Sequence, residues 1–101
     1  TCRHCGGLAR PDVVWFGEGL DPERLARATA AAKQCDLFIT IGTSALVQPA
    51  ASLPIAALEA RATLVEINPE PTPLSAAAMV SLRGPAGVLL PALLRAAWPE
   101  A

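Results

Sequence analysis

Two short apolar runs, each stopping on a polar turn, constrain the fold of this chain more than any other feature. Asp36 to Ile41 carries Leu37, Phe38, Ile39 and Ile41 and ends at Gly42, while Thr63 to Ile67 repeats the pattern more weakly and ends at Asn68-Pro69. Nearly continuous apolar runs of this length are the pattern of parallel strands buried on both faces. Between them Ala50 to Ala60 reads as helix, with Pro49 and Pro54 leaving its first turn open. Strand, helix and strand in that order require parallel pairing through a right-handed crossover.

The alternation continues on either side. Asp21 followed by Pro22 is an N-cap with proline at the first helical position, and the alanine-rich run after it favours a helix from about Pro22 to Lys33. Met79 to Leu82 fits a third short strand. A last helix is expected from Ala86 to Trp98, with Leu89, Leu90, Leu93, Leu94 and Trp98 as its apolar side and a kink at Pro91. The class is therefore α/β, part of a doubly wound, Rossmann-like parallel sheet with helices on its faces. Ahead of the first helix, Val13, Val14, Trp15 and Phe16 make Pro11 to Phe16 a short extended segment that Gly17 ends, and Glu18-Gly19 starts a loop.

Composition narrows the partners. Among 101 residues 52% are apolar, enough for a packed core, and the net charge is -1. No basic field exists to hold nucleic acid or an anionic membrane surface. No apolar run approaches the roughly 18 residues of a membrane-spanning helix. Three cysteines, an odd number, argue against a disulfide framework, and a cytoplasmic setting is expected. The chain begins at Thr1, without an initiator methionine and one residue before a Cys-x-x-Cys, which predicts a piece of a longer protein.

Cys2 and Cys5 have zinc-knuckle spacing, and Gly6-Gly7 lets the backbone fold so that two thiolates converge. Two ligands are half of a structural site. His4, between the cysteines, would strain a small ring and is expected to be turn-exposed. A redox pair would need a helix opening at the motif, and Gly-Gly followed by Pro11 supplies none. Cys35 reads as a small core residue.

Ligands of open parallel sheets bind outside the carboxyl ends of the strands, which here are Gly42-Thr43-Ser44 and Asn68-Pro69-Glu70. Gly42 permits close backbone approach, and Thr43 and Ser44 offer hydroxyls and N–H groups for phosphate or ribose oxygens. Asn68 and Glu70 are suited to a ribose diol. Either turn alone reads as an ordinary strand-to-helix connection, but two polar strand ends side by side favour a nucleotide.

Taken together, Cys2-x-x-Cys5-Gly6-Gly7, Arg10-Pro11-Asp12-Val13-Val14-Trp15-Phe16-Gly17-Glu18, Gly42-Thr43-Ser44 with Val47 and Pro49-Ala50-Ala51, Ile67-Asn68-Pro69-Glu70 and Gly84-Pro85-Ala86 resemble, in order and spacing, the C-terminal half of the sirtuins. The resemblance covers essentially the whole chain and implies an NAD-dependent lysine deacylase, with acyl-lysine and NAD meeting between a Rossmann-like domain and a smaller zinc-bearing module. By position, residues 1–20 would be the remnant of the zinc module with the substrate-binding segment, and 21–101 the C-terminal half of the NAD-binding domain. Gly42, Thr43 and Ser44 would contact the ribose and phosphates of NAD, Asn68, Pro69 and Glu70 the adenosine ribose, and Ala86 the adenine. Val14 would offer its carbonyl to the acyl-lysine N–H, Phe16 would line the acyl tunnel, and Gly17, Glu18 and Val47 would pair with the substrate backbone. Cys2 and Cys5 would bind Zn(2+).

Without the resemblance, Trp15 and Phe16 would be read as core aromatics, one of them being so in any case. Gln48 stands where many members have tyrosine, and Met79 and its neighbours lack the acidic residue often found before the last strand. No catalytic residue is assigned, because the sequence holds neither the family's Gly-rich loop, nor its Gln-Asn-x-Asp segment, nor its histidine base, nor the first cysteine pair. The N-P-E-P-T run resembles the bacterial and mitochondrial branch that includes desuccinylases. Rival readings are a non-catalytic NAD-binding module and a small zinc-stabilised domain without a ligand.

Overall fold

In the computed structural model, which describes residues 1–100, the elements are α1 (Pro22–Gln34), β1 (Leu37–Ile41), α2 (Ser52–Glu59), β2 (Thr63–Ile67), β3 (Val80–Leu82) and α3 (Ala86–Ala97). The three strands form one sheet in the order β1-β2-β3. Both pairings are parallel, with Leu37 opposite Thr63 through Ile41 opposite Ile67, and Val65 opposite Val80 through Ile67 opposite Leu82.

Local chemistry sets the boundaries. Asp21 caps α1 by accepting the Glu23 N–H at 2.9 Å, with Pro22 in the first turn where its missing N–H costs nothing. Helix α2 begins two residues later than the sequence suggests, because Ala50 and Ala51 lie in turns closed by the Ala51 N–H on the Val47 carbonyl and the Ser52 N–H on the Pro49 carbonyl. Pro54 then falls in the first helical turn, where backbone N–H groups have no helical partner in any case. Helix α3 runs through Pro91 as one element.

Alanine bias has a packing role here. Ala32 of α1, Ala57 of α2 and Ala62 just before β2 are buried together, with Cys35 and Phe38 partly buried against them, so the helices approach each other and the sheet closely. Leu64 and Ile67 of the central strand are buried as well. On the opposite face Leu90 and Leu93 of α3, with Trp98 just after it, meet Leu37, Ile39 and Val80 across an apolar cleft of about 290 Å³.

Two expectations fail. Pro11 to Phe16 forms no strand: it is irregular, bending at Asp12 and Val13 and running into a turn closed by the Glu18 N–H donating to the Trp15 carbonyl at 3.0 Å. No sheet edge lies alongside to pair with it, and without ladder partners β-branched and aromatic residues do not make a strand. Trp15 and Phe16, at 52% and 91% exposure, are consequently not core aromatics. Strand β1 is parallel as expected but not buried on both sides. It is an edge strand, with Leu37 and Ile41 substantially exposed, whereas β2, the weaker apolar run, takes the protected centre.

Candidate functional site: a strand-end pocket beside a peptide-sized groove

Ladder bonding continues one residue past β1 and past β2. The Gly42 N–H donates to the Ile67 carbonyl at 2.9 Å and the Asn68 N–H to the Leu82 carbonyl at 3.1 Å, which aligns the turns after β1, β2 and β3 along one edge. Gly42 has φ +64°, and a Cβ built there would meet nothing within 4 Å. The backbone is thus bare toward open space at the point where a ligand would approach it. Thr43 then accepts the Ala45 N–H on Oγ1 at 3.1 Å, turning the chain through an Ala45 φ of 57°.

Asn68 joins the two turns. Its Nδ2 donates to the Thr43 carbonyl at 2.7 Å and its Oδ1 accepts the Glu70 N–H at 3.2 Å. The side chain expected to meet a ribose is therefore already engaged, and it holds Gly42-Thr43-Ser44 against Asn68-Pro69-Glu70. The Glu70 side chain is exposed, as are Ser44 and Pro69, and Ala86 is half-buried as the first residue of α3. Gly84 makes that junction possible: a Cβ there would stand 3.1 Å from Leu89 Cδ1.

Beneath the second turn lies a polar cluster to which the sequence reasoning assigned no role. Glu66 of β2 is 1% exposed. Its Oε1 accepts from Arg83 Nη1 at 2.7 Å, and its carboxylate also accepts from Ser75 Oγ at 3.0 Å and Thr72 Oγ1 at 3.1 Å. Burial alone would raise the Glu66 carboxyl, but the hydrogen bonds from Arg83, Ser75 and Thr72 and the Arg83 charge outweigh it, so the group lies below its ordinary range. Arg83 Nη1 also reaches the carbonyls of Glu70 at 3.0 Å and Asn68 at 3.4 Å. A carboxylate inside a strand-like run was the available signal, since a buried charge must have a partner.

The second component is a groove of about 490 Å³ between the loop before α1 and the loop after β1. Val14, Phe16, Gly17 and Glu18 from one loop and Val47 from a distant one all line it. A smaller cleft of about 260 Å³ adjoins it beside Thr43, with Val47 and Ala50 lining both. The cleft runs along β1 from Phe38 to Ile41 and takes in Thr43 of the strand-end turns, so this cleft and the groove share a wall.

Arg10 braces the groove's outer loop. It donates to both Glu18 carboxylate oxygens, at 2.8 and 3.2 Å, and to the Val13 carbonyl at 3.1 Å, while its guanidinium lies 4.0 Å from the Trp15 ring centroid. The Arg10 bond, followed by one from the Trp15 N–H, holds the Glu18 carboxyl below its ordinary range.

At the N-terminus the Gly6 N–H donates to the Cys2 carbonyl at 2.9 Å and the Cys2 N–H to the Gly7 carbonyl at 2.8 Å, folding the cysteines into one tight loop. Hydrogen bonds from the backbone at His4, then at Cys5, lower the Cys2 thiol, favouring the thiolate that a metal requires. Gly7 passes close, since a Cβ there would be 3.4 Å from Cys5 Sγ. His4 is exposed, as expected. Among the described residues no third His, Cys, Asp or Glu joins the pair, so the loop fits two ligands of a tetrahedral site.

Comparison with known proteins gives a consistent picture. The model of the Sir2 family matches residues 1–49. An "NAD-dependent protein deacylase 1" of Pseudomonas aeruginosa is 51% identical over 97% of this chain, which spans 39% of that relative. A solved structure described as a Sir2 homolog–NAD complex superposes with a TM-score of 0.82 at 49% identity, over 94% of this chain and 37% of the other. Another, a Sir2–p53 peptide–NAD+ complex, gives 0.82 at 29% identity over 99% of this chain and 41% of the other. The chain thus spans about two fifths of the length of the proteins it matches.

Proposed function

We propose that this chain, which belongs to the Sir2 family, carries part of the cofactor pocket and of the substrate groove of an NAD-dependent protein-lysine deacylase. The observation that carries the proposal is the wall formed by Val47 and Ala50, common to the groove and to the cleft beside Thr43. A transfer between a peptide side chain and a nucleotide needs both held within reach of one another, and a shared wall does that. NAD, when bound, would supply the ADP-ribose that takes the acyl group, with nicotinamide released.

The chain's own residues bind, orient and exclude water. The bare backbone at Gly42 admits the ribose and phosphates, which Thr43 and Ser44 meet with hydroxyls and N–H groups. Asn68, Pro69 and Glu70 face the adenosine ribose, Glu70 with its carboxylate and Asn68 chiefly by holding the two turns together. Ala86 abuts the adenine. Across the shared wall, Gly17 and Glu18 on one side and Val47 on the other pair with an extended substrate backbone, adding it as a strand. Val14 offers its carbonyl to the acyl-lysine N–H, and Phe16 keeps the acyl chain out of water.

Residues 1–20 then serve as zinc-loop and substrate segment, and 21–101 as nucleotide-binding domain. Cys2 and Cys5 give two thiolates to a structural zinc, whose loss from Cys2→Ser and Cys5→Ser variants by metal analysis checks that role. Acylated lysines of proteins are the partners. No helix among the described residues is long and apolar enough to cross a membrane, and a cytoplasmic setting completes the proposal.

The test uses the protein as expressed from its own gene, with NAD and an acetyl-lysine peptide. Nicotinamide and acyl-ADP-ribose should appear in equal amounts. Binding of NAD without turnover would overturn the deacylase reading and leave a nucleotide-binding module, and no binding would overturn both.

A further inference from the structure

We infer that Arg83, paired with the buried Glu66, is a positioning residue for the cofactor pocket: it sets the Asn68–Glu70 turn from below and does not itself touch the nucleotide. The inference rests on the nucleotide reading of the strand-end turns. Arg83 stands just past β3 beside the Asn68–Glu70 turn, where an arginine would ordinarily be read as a phosphate ligand. Its donors are turned inward instead. Nη1 serves the Glu66 carboxylate and the carbonyls of Asn68 and Glu70, and Nη2 serves Ser75 Oγ at 2.9 Å.

The remaining bonds show what the cluster does. Ser75 Oγ donates to Glu66 and accepts the Thr72 N–H at 2.8 Å, and Thr72 Oγ1 donates to Glu66 and accepts the Leu74 N–H at 3.2 Å. The loop that follows β2 closes turns on the Thr72 and Leu74 carbonyls, and these side chains bond other backbone groups of it from inside. A buried ion pair is a poor device for stability alone, since apolar replacements often serve as well. What an apolar pair cannot do is donate to the turn: Arg83 Nη1, anchored on Glu66, reaches the Glu70 carbonyl, while Nη2 of the same planar group takes Ser75. The turn held in this way carries Asn68, whose amide reaches Thr43. The chain of contacts runs from Glu66 through Arg83 to the turn and so to the Gly42–Ser44 backbone.

The experiment compares wild type, Arg83→Lys and Glu66→Gln in the protein as expressed from its own gene. It measures ADP-ribose affinity by calorimetry, KM for NAD and for an acetylated peptide separately from kcat, and amide exchange over residues 68–75. Arg83→Lys retains the charge but not the planar group that serves Glu66, the turn and Ser75 at once. It should weaken ADP-ribose and raise the KM for NAD by about 5- to 10-fold, leave kcat and the peptide KM within about 2-fold, and speed exchange in 68–75 only. Glu66→Gln should do the same more mildly. Loss of folded protein alone would instead lower kcat with every KM unchanged. Unaltered ADP-ribose affinity and KM in Arg83→Lys would overturn the inference, as would a fall in kcat alone. Wild type that fails to bind ADP-ribose while the variants still loosen 68–75 would sink the nucleotide reading and leave only the clamp.

Discussion

The Asn68 amide reaches across 25 residues to the Thr43 carbonyl at 2.7 Å and so ties the end of the central strand to the end of its neighbour. This is a tertiary bond at the rim of a site. Replacing Asn68 with Ala removes it and should cost about 1 kcal/mol of stability. Asp is nearly isosteric but cannot donate, and it would set a carboxylate against a carbonyl oxygen. Both variants should lose about tenfold or more in NAD affinity, with Asp at least as damaged as Ala despite its closer shape. Calorimetry with thermal melts checks this, and wild-type affinity in Asn68→Ala would mean that the two turns hold their places unaided.

Gly42 makes a second prediction, contrasted with Cys35. A side chain at Gly42 meets no protein atom within 4 Å, so its cost has two sources: a φ of +64°, which disfavours any L residue by roughly 1–2 kcal/mol, and intrusion into the ligand's space. Ala isolates the first and Val adds the second. Gly42→Ala should therefore melt somewhat lower, and Gly42→Val should in addition lose NAD binding. Cys35→Ala removes a sulfur that donates to the Ala32 carbonyl, should cost on the order of 1 kcal/mol or less, and should leave affinity alone. A folded Gly42→Val with full affinity would refute the cofactor placement.

These positions also show what the sequence makes legible. Helices and strands followed from local signals acting where they stand: Asp21-Pro22 at a helix start, apolar runs closed by Gly42 and Asn68, alternation that requires parallel pairing. The grouping of Val14, Phe16, Gly17, Glu18 and Val47 came through resemblance, and the groove unites them. Neither kind of signal reports a neighbour. Pro11–Phe16 has strand composition without a strand beside it, and β1 has a core strand's composition at an edge. Glu66 is the converse case, a charged residue made tolerable by Arg83, Thr72 and Ser75, which lie 6 to 17 residues away along the chain.

Stability should depend on Glu66 at acid pH. Its carboxyl is held below the ordinary value in the folded protein, so its contribution is fully present above the unfolded value of about 4.3 and is lost as the pH falls through the lower folded one. The melting temperature of wild type should drop more steeply between about pH 5 and pH 3 than that of Glu66→Gln, which has no proton to take up there. Glu18 shifts in the same direction but is far more exposed, and solvent screening leaves it a small part. Parallel pH curves for wild type and Glu66→Gln would show that the ion pair contributes nothing through its charge.

The last prediction separates stability from substrate recognition at Arg10. Its bonds to Glu18 and Val13 and its contact with Trp15 lie on the surface, with the Arg10 and Glu18 side chains 50% and 40% exposed. Exposed pairs of this kind contribute about 0–1 kcal/mol, so Arg10→Lys should barely change the melting temperature. The same bonds nevertheless fix the turn that carries Val14, Trp15 and Phe16 along the groove. Lysine can satisfy one acceptor at a time and stacks less well on an indole, so the turn should be released from its single arrangement. In the protein as expressed from its own gene, the KM for an acetylated peptide should rise about 3- to 10-fold while NAD affinity stays constant, because only the groove is disturbed. Glu18→Gln, which keeps one acceptor for the guanidinium, should fall between wild type and Arg10→Lys. Steady-state kinetics with each substrate varied in turn would read the difference. Equal effects on peptide and NAD would mean that Arg10 supports the fold at large, and an unchanged peptide KM would mean that the groove keeps its shape without the brace.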